Sequence, residues 1–149
     1  MIDVEASVVV DRPLDEVFAY VADLTNNPAW EGNFVAVEQA TPGPVGVGTV
    51  FNCQLKVPGQ RVTSRIELTA FEPGRRIAFR GDQPASAKPV GSITFEAVPG
   101  GTKVTTLPRP EMGGLLKLLE PLMAGYVRRS NAKHLAALKA LLEARPAAP

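Results

Sequence analysis

The residues of this sequence best suited to proton chemistry lie near its C-terminus. His134 is the single histidine, and its side chain has an ordinary pKa that suits general acid–base catalysis near neutrality. Tyr126 and Ser130 precede it at helical spacing, which places the three on one face of a helix. Together they could move protons or hold a carbonyl group. A lone histidine near the end of a long helix is more often structural, so catalysis is the less favoured interpretation.

Cys53 offers little chemistry. A single cysteine excludes an internal disulfide and a multi-cysteine zinc site, and Cys53 with His134 would make an improbable metal site. No histidine lies close in sequence to activate the thiol, so we expect inert packing. Residues 43–48 are rich in glycine but lack the strand–loop–helix context of a phosphate loop. We therefore predict no metal and no cofactor, and a reducing, cytoplasmic setting.

Length and charge exclude several classes of protein. A chain of 149 residues with 45% hydrophobic residues predicts one globular domain over residues 1–149, of which 145–149 form a flexible tail. The formal net charge of +1 and the lack of basic clustering predict no nucleic-acid binding. The N-terminus is acidic and no apolar stretch is long enough for a membrane span, so we predict neither a signal peptide nor a spanning helix. The pattern leaves monomer and homodimer open.

The first third of the chain predicts a strand and two helices. Residues 2–10 are rich in valine, which predicts a strand, and residues 11–13 are predicted to start a helix. We expect Asn26-Asn27-Pro28 to break that helix and a short second helix to carry Trp30. A strand from Phe34 to Ala40 and a loop over residues 41–48 follow.

The middle of the chain predicts an antiparallel meander with one apolar face. Apolar and polar residues alternate over five strands, centred on residues 50–57, 62–70, 76–80, 92–97 and 102–107. Proline–glycine pairs, which are typical of turns, separate several of these strands, and residues 81–89 are predicted to form a polar loop. The long helix predicted from about Gly114 to Ala144 must cover the apolar face. Its expected buried stripe is Leu115, Leu119, Leu122, Tyr126, Ser130, His134, Ala137 and Leu141, and Leu116, Met123, Val127 and Leu138 widen it. The fold class is therefore α+β, in the order strand, two helices, six strands and long helix.

Five phrases of the sequence resemble one family. "DEVFAYVADLTNNPAW" is similar to the helix–helix segment of the START-like (SRPBCC) superfamily, which includes polyketide cyclase/dehydratase-like proteins. The likeness continues in "GPVGVGTVF", "LTAFEPGRRIAFR", "TFEAVPGGTKVT" and "LLEPLMAGYVRRSNAKHLAALKALLEA", and so covers nearly the whole chain. The resemblance implies a helix-grip fold, in which a curved sheet of about seven strands wraps around a long C-terminal helix with an internal cavity between them. This fold hosts many functions, and no catalytic motif carries over.

The implied cavity gives the inner-face residues a second role. Plain core packing is the alternative for each of them, and the two interpretations of Trp30 are evenly balanced. For Ser64 and Thr106, a hydrogen bond to the backbone is favoured over a ligand contact. The residues expected to line the cavity are Trp30, Phe51, Ser64, Phe79, Phe95, Thr106, Met112, Leu115, Leu119, Met123, Tyr126 and His134.

The stretch that joins the last strand to the long helix predicts a hinge and a lid. Pro108 and Pro110 end the strand, because proline cannot donate to the ladder, and Gly113-Gly114 let the chain reverse. Pro121 removes a helical hydrogen bond and should bend the first turns of the helix over the cavity.

Three functions follow from this picture. The first is binding of a hydrophobic small molecule such as a lipid, a polyketide or an aromatic metabolite. The second is a polyketide cyclase/dehydratase-like enzyme that uses His134 as base, with Tyr126 or Arg109 polarising a carbonyl. The third is a protein-interaction module without a ligand, which predicts a sizeable exposed apolar patch.

Overall fold

The strands of the protein form two antiparallel sheets. The computed structural model describes residues 5–32, 34–57, 60–81, 87–88, 90–108, 111–112 and 120–144. The strands are β1 Ala6–Val10, β2 Phe34–Gln39, β3 Val50–Val57, β4 Gln60–Glu72, β5 Arg76–Gly81, β6 Ala87–Lys88, β7 Val90–Val98, β8 Gly101–Pro108 and β9 Glu111–Met112. Seven of them form one sheet in the order β1-β8-β7-β5-β4-β3-β2, and β6 pairs with β9 in a separate two-stranded sheet.

The helices complete an α+β helix-grip fold. Helix α1 spans Leu14–Ala22, a 3₁₀ helix spans Leu24–Ala29, and the C-terminal helix α2 spans Glu120–Glu143. The element order confirms the predicted strand, two helices, six sheet strands and long helix. The predicted start of the long helix at Gly114 lies outside the described residues. Within the described part of the chain, no helix is both long and apolar enough to span a membrane.

The predicted alternation of the meander is confirmed on β3 and β4. Phe51, Cys53 and Leu55 are buried, while the side chains between them are exposed. Cys53 lies opposite Ser64 in the antiparallel register, so both belong to the buried inner face. The same face continues through β5, β7 and β8 to β1, and α1 closes one end of it. There the ring of Phe18 meets Phe95 edge to face, with the ring centroids 5.0 Å apart.

The predicted break at Asn26-Asn27-Pro28 is wrong, because these residues lie inside the 3₁₀ helix. The Asp23 carboxylate caps the helix by accepting from the backbone N–H of Thr25 at 3.1 Å. At the other end, the carbonyl of Asn27 accepts from the N–H groups of Trp30 and Glu31 at 3.0 and 2.7 Å. The two helices therefore follow each other almost without interruption, and Trp30 comes directly after the second.

The predicted turn between β7 and β8 is confirmed and depends on glycine. Gly100 and Gly101 have φ angles of 94° and 138°, in the region that favours glycine. A Cβ atom on Gly101 would also overlap the carbonyl oxygen of Val10. Just beyond, the buried hydroxyl of Thr102 donates to the carbonyl of Arg12 at 2.8 Å. The turn thus fixes the start of β8 against the end of β1.

Polar contacts hold α2 across the edge of the sheet at β1. Lys139 Nζ donates to the carbonyl of Val9 at 2.8 Å and to the Glu143 carboxylate at 2.6 Å. The guanidinium of Arg12 donates to the carbonyl of Glu143 at 2.7 Å. Since these contacts join the C-terminal end of α2 to the start of the chain, they fix where the helix crosses the inner face.

The buried stripe of α2 differs from the predicted one in its second half. Leu138, which was expected to widen the stripe, is buried, and so are Leu135 and Leu142, which were not expected. Ala137 of the predicted stripe is exposed, and Leu141 is only partly buried. Extending the spacing from Tyr126 by fours and threes selects positions one residue out of phase with these leucines. The leucines prevail because each removes far more apolar surface from water than an alanine does.

Two short strands were not predicted. β6 lies within the segment expected to be a polar loop, and β9 lies within the expected hinge. Each has only two residues, too few for an alternating pattern, and their pairing depends on positions far apart in the sequence.

Candidate functional site

An apolar surface covers most of the inner face of the sheet. Phe51 and Leu68 are fully buried, Phe95 is nearly so, and Phe79 is partly buried at the margin of the core. The three phenylalanines lie on the strands from which the sequence predicted them to point inward. Such a surface binds by excluding water and carries little chemistry of its own.

Two of the residues predicted to line the cavity have a buried polar atom without a hydrogen-bond partner. Ser64 is 1% exposed and its Oγ is unpaired, and Trp30 is 3% exposed with an unpaired indole Nε1. Burying such a group without a partner costs about 1–3 kcal/mol, which is why folded proteins rarely do so. Ser64 and Trp30 therefore have hydrogen-bonding capacity inside the protein that the described fold does not use. The expected backbone partner of Ser64 is absent among the described residues.

Glu31 brings an ionisable group into the same region. The residue as a whole is partly exposed, and partial burial raises the pKa of Glu31 from 4.5 to about 7. Burial, together with the nearby Glu31 charge, raises the pKa of the Cys53 thiol to about 12. Cys53 is the cross-strand neighbour of Ser64 on the buried inner face.

Glu31 is the residue that the sequence analysis missed. Nothing in its spacing marks it, because no second acid or histidine lies nearby in the sequence. One usable signal is that Glu31 lies between the single tryptophan and a strand. The backbone N–H groups of Trp30 and Glu31 both donate to the Asn27 carbonyl, which holds Glu31 directly after the 3₁₀ helix. Cys53 is buried with a thiol that stays protonated, in agreement with the prediction of inert packing.

Thr106 has the backbone partner that was expected for it. Its Oγ1 donates to the carbonyl of Ala6 on the neighbouring strand, at a long distance of 3.5 Å. The bond is weak by the usual geometric criteria. Thr106 is therefore held within the sheet but retains capacity to contact a ligand.

His134 lies half-buried beside the leucine stripe of α2. Burial, with a smaller contribution from the neighbouring Lys133 charge, lowers the pKa of His134 below 6.5. The imidazole is therefore neutral at pH 7, the form that accepts a proton. One turn before it, the amide Nδ2 of Asn131 is buried without a partner.

The remaining predicted site residues are described only in part. Met112 belongs to β9, and Met123 and Tyr126 belong to α2, but their side chains lie outside the described residues. Leu115 and Leu119 lie wholly outside them, as do Arg109 and the glycine pair of the expected hinge. Pro121 lies in α2, and its effect on the helix stays a prediction.

A surface groove of about 580 Å³ lies on the opposite side of the sheet. The residues around it include Ala78, Ser92 and Leu107, which face each other across β5, β7 and β8 at positions that alternate with the core residues. Arg76 and Arg80 form part of its wall, and Phe79 borders it. Because arginines and open solvent surround it, the groove suits an apolar ligand less well than the inner face does.

The described side chains suit recognition better than metal chemistry. No group of three His, Cys, Asp or Glu residues among them could hold a metal ion. The interior offers apolar side chains together with the unpaired hydroxyl of Ser64 and the unpaired indole N–H of Trp30.

A family model confirms the resemblance seen in the sequence. The model described as "Polyketide cyclase / dehydrase and lipid transport" matches residues 1–143. The chain belongs to this family. No curated protein matches the sequence of this family member.

Solved structures show that the family fold extends over the whole chain. A Deinococcus radiodurans protein is 23% identical with a TM-score of 0.69, and the match covers 96% of this chain and 98% of that one. A Thermus thermophilus protein is 18% identical with a TM-score of 0.74, covering 97% and 100%. The di-domain ARO/CYC StfQ from the steffimycin biosynthetic pathway is 19% identical with a TM-score of 0.74; 96% of this chain matches 51% of that chain. At these identities the structures establish the helix-grip fold alone.

Proposed function

We propose that this protein binds a hydrophobic small molecule, such as a polyketide, a lipid or an aromatic metabolite, between the inner face of its sheet and helix α2. The family description and the similarity to a protein titled ARO/CYC support this proposal. The observation that carries it is that Ser64 and Trp30, both buried, have side-chain polar atoms without a hydrogen-bond partner. A ligand that pairs with them would remove a cost that the free protein bears.

The expected energetics follow from this composition. Burial of apolar ligand surface contributes roughly 25 cal/mol per Å², before the cost of ordering ligand and protein. The few polar groups then fix the orientation of the ligand, as in most small-molecule sites.

Native mass spectrometry of the gently purified protein tests the proposal, together with titration of a panel of lipids, polyketides and aromatic compounds. Trp30, the single tryptophan, reports binding through its fluorescence. The matched control is Ser92→Tyr, which fills the outer groove and should leave binding unchanged. The proposal would be contradicted if the purified protein contained no ligand and bound no member of the panel. It would also be contradicted if Ser92→Tyr abolished binding.

A second candidate is a cyclase/dehydratase-like enzyme, in which His134 is the base and Tyr126 or Arg109 polarises a carbonyl. The neutral, half-buried imidazole of His134 favours it. His134→Ala should then lower turnover of an identified polyketide substrate by about a hundredfold, since positioned general bases contribute factors of this order. Unchanged turnover in that variant would end the assignment.

The protein-interaction alternative has less support. The large apolar side chains that are exposed among the described residues are Val9, Val35 and Val47. Val9 and Val35 lie on β1 and β2, the opposite edges of the sheet, so the three do not form one patch. The free, buried Cys53 supports a reducing, cytoplasmic location as part of the proposal.

A further inference from the structure

The outer groove is recessed because small side chains form its floor. Ala78 on β5 lies directly opposite Ser92 on β7, and Ser92 lies directly opposite Leu107 on β8. Since neighbouring strands are about 4.8 Å apart, these three residues form a floor about 10 Å wide. Ala78 is only 8% exposed although it is not part of the core cluster, so longer side chains around it rise above the floor.

Two arginines stand at the sides of this floor. Arg76 and Arg80 come two residues before and two residues after Ala78 on β5, and alternation along a strand places all three on one face. The two arginines are about 13 Å apart along the strand. They are the charged residues around the groove, and none of the described residues that line it is acidic. The groove therefore combines a largely apolar floor with two positively charged sides.

Neighbouring carboxylates leave the arginines able to bind another anion. Arg76 donates to the Glu72 carboxylate at 3.1 Å, and Arg75 lies 3.5 Å from the same carboxylate. Two guanidinium groups thus share one carboxylate, which leaves an excess of positive charge beside the groove. Glu67 lies opposite Arg80 in the register of β4 and β5. A guanidinium has five N–H donors, so pairing with one carboxylate leaves donors for a second.

We propose that the outer groove is a second binding site, which takes small aromatic anions such as aryl carboxylates. The ring lies on the floor of Ala78, Ser92 and Leu107, and the carboxylate binds the guanidinium of Arg76 or Arg80. The planar guanidinium matches a carboxylate with two parallel hydrogen bonds. The volume of about 580 Å³ lies within the range of small-molecule sites. This inference goes beyond the proposed function, because it requires no ligand on the inner face.

The charge of the ligand distinguishes the two faces of the sheet. A neutral aromatic compound gains little from a shallow floor that is open to solvent, whereas an anion also gains charge-assisted hydrogen bonds from the arginines. The apolar inner face has the opposite preference, since it penalises an unpaired carboxylate. Because exposed charges are screened by ions, added salt should weaken binding in the groove.

Amide and indole NMR titrations with naphthoate, and with its neutral counterpart acetylnaphthalene, test the proposal. Naphthoate should shift the backbone amides of Ala78, Ser92 and Leu107, and its affinity should fall as salt is added. Acetylnaphthalene should leave these three amides nearly unchanged. Ser92→Tyr fills the groove and should abolish the response to naphthoate.

Three arginine variants separate the groove from general surface charge. Arg76→Gln and Arg80→Gln should each weaken naphthoate binding by up to about fivefold, the order expected for an exposed ion pair. Arg61→Gln is the matched control, because Arg61 is an exposed arginine of β4 that does not line the groove. It removes the same charge and should leave the affinity for naphthoate unchanged.

The outcomes also separate this inference from the proposed function. Equal responses of the groove amides to naphthoate and acetylnaphthalene would overturn anion selection, and so would an equal loss of affinity in Arg61→Gln. Naphthoate signals centred on the Trp30 indole would overturn the outer site and leave binding on the inner face intact. No response to naphthoate up to its solubility limit would overturn the outer site as well.

Discussion

Replacing Glu31 by glutamine is expected to remove a pH-dependent loss of stability. The pKa of Glu31 rises from 4.5 to about 7 on folding because the carboxyl becomes buried. The folded protein therefore binds this proton more tightly than the unfolded chain does. Stability contributed by the protonated acid is fully present below pH 4.5 and is lost as the pH rises to about 7. Glutamine has a similar shape and no charge, so it avoids the loss.

The magnitude follows from the size of that pKa change. One pH unit corresponds to about 1.4 kcal/mol, so the ionised carboxylate at pH 8 costs up to about 3 kcal/mol relative to its protonated form. Glu31→Gln should therefore match the wild type near pH 4.5 and exceed it at pH 8 by up to that amount. For a protein of this size the gain is about 6–12 °C in melting temperature.

Urea unfolding of both proteins at several pH values between 4.5 and 8 measures the difference. Glu38→Gln is the matched control, because Glu38 is an exposed glutamate on the following strand β2. Parallel pH profiles of the wild type and Glu31→Gln would refute the reasoning and show that the Glu31 carboxyl is well solvated. A comparable effect of Glu38→Gln would show that the change reflects net charge.

Three further substitutions test the described contacts. Gly101→Ala should destabilise the protein by about 2–4 kcal/mol in thermal unfolding, because the added Cβ would overlap the backbone at the end of β1. Gly46→Ala is the control and should change stability little, since the space around Gly46 is open. Equal effects of the two substitutions would contradict the close approach at Gly101. Ser64→Ala should leave stability unchanged or raise it by about 1 kcal/mol while it weakens ligand binding several-fold, and a clear loss of stability would reveal a hidden partner for the hydroxyl. Thr102→Val should cost about 1 kcal/mol in urea unfolding because it removes the buried hydroxyl that donates to the Arg12 carbonyl, and an unchanged midpoint would show that this bond is dispensable.

The sheet was predictable because its signal is local and repeated. Alternation on β3 and β4 identified the buried residues, since successive side chains of a strand point to opposite faces. The second helix was predicted to start too late because Pro28 usually ends helices, whereas here the Asp23 cap and the Asn27 carbonyl hold a 3₁₀ helix around it. The predicted stripe of α2 was traced through Tyr126 and His134, and it therefore passed through Ala137 and Leu141 instead of the buried Leu135 and Leu142.

The candidate site was predictable only in its apolar part. Phe51 and Phe95 follow from alternation, but nothing local shows that the Ser64 hydroxyl lacks a partner, because that depends on groups distant in sequence. Glu31 is the clearest case. A lone glutamate at the end of a helix is usually solvated, and only the folding of the strands around it buries its carboxyl. The aromatic wall is thus encoded locally, whereas the polar end is a product of tertiary structure.

The most direct test of ligand binding on the inner face is an amide and indole NMR titration with acetylnaphthalene at pH 6. We predict that the largest chemical-shift changes occur at the Trp30 indole N–H and at the backbone amides of Cys53 and Ser64. Changes centred instead on Thr69, Ser92 and the outer groove, or no changes at all, would contradict it.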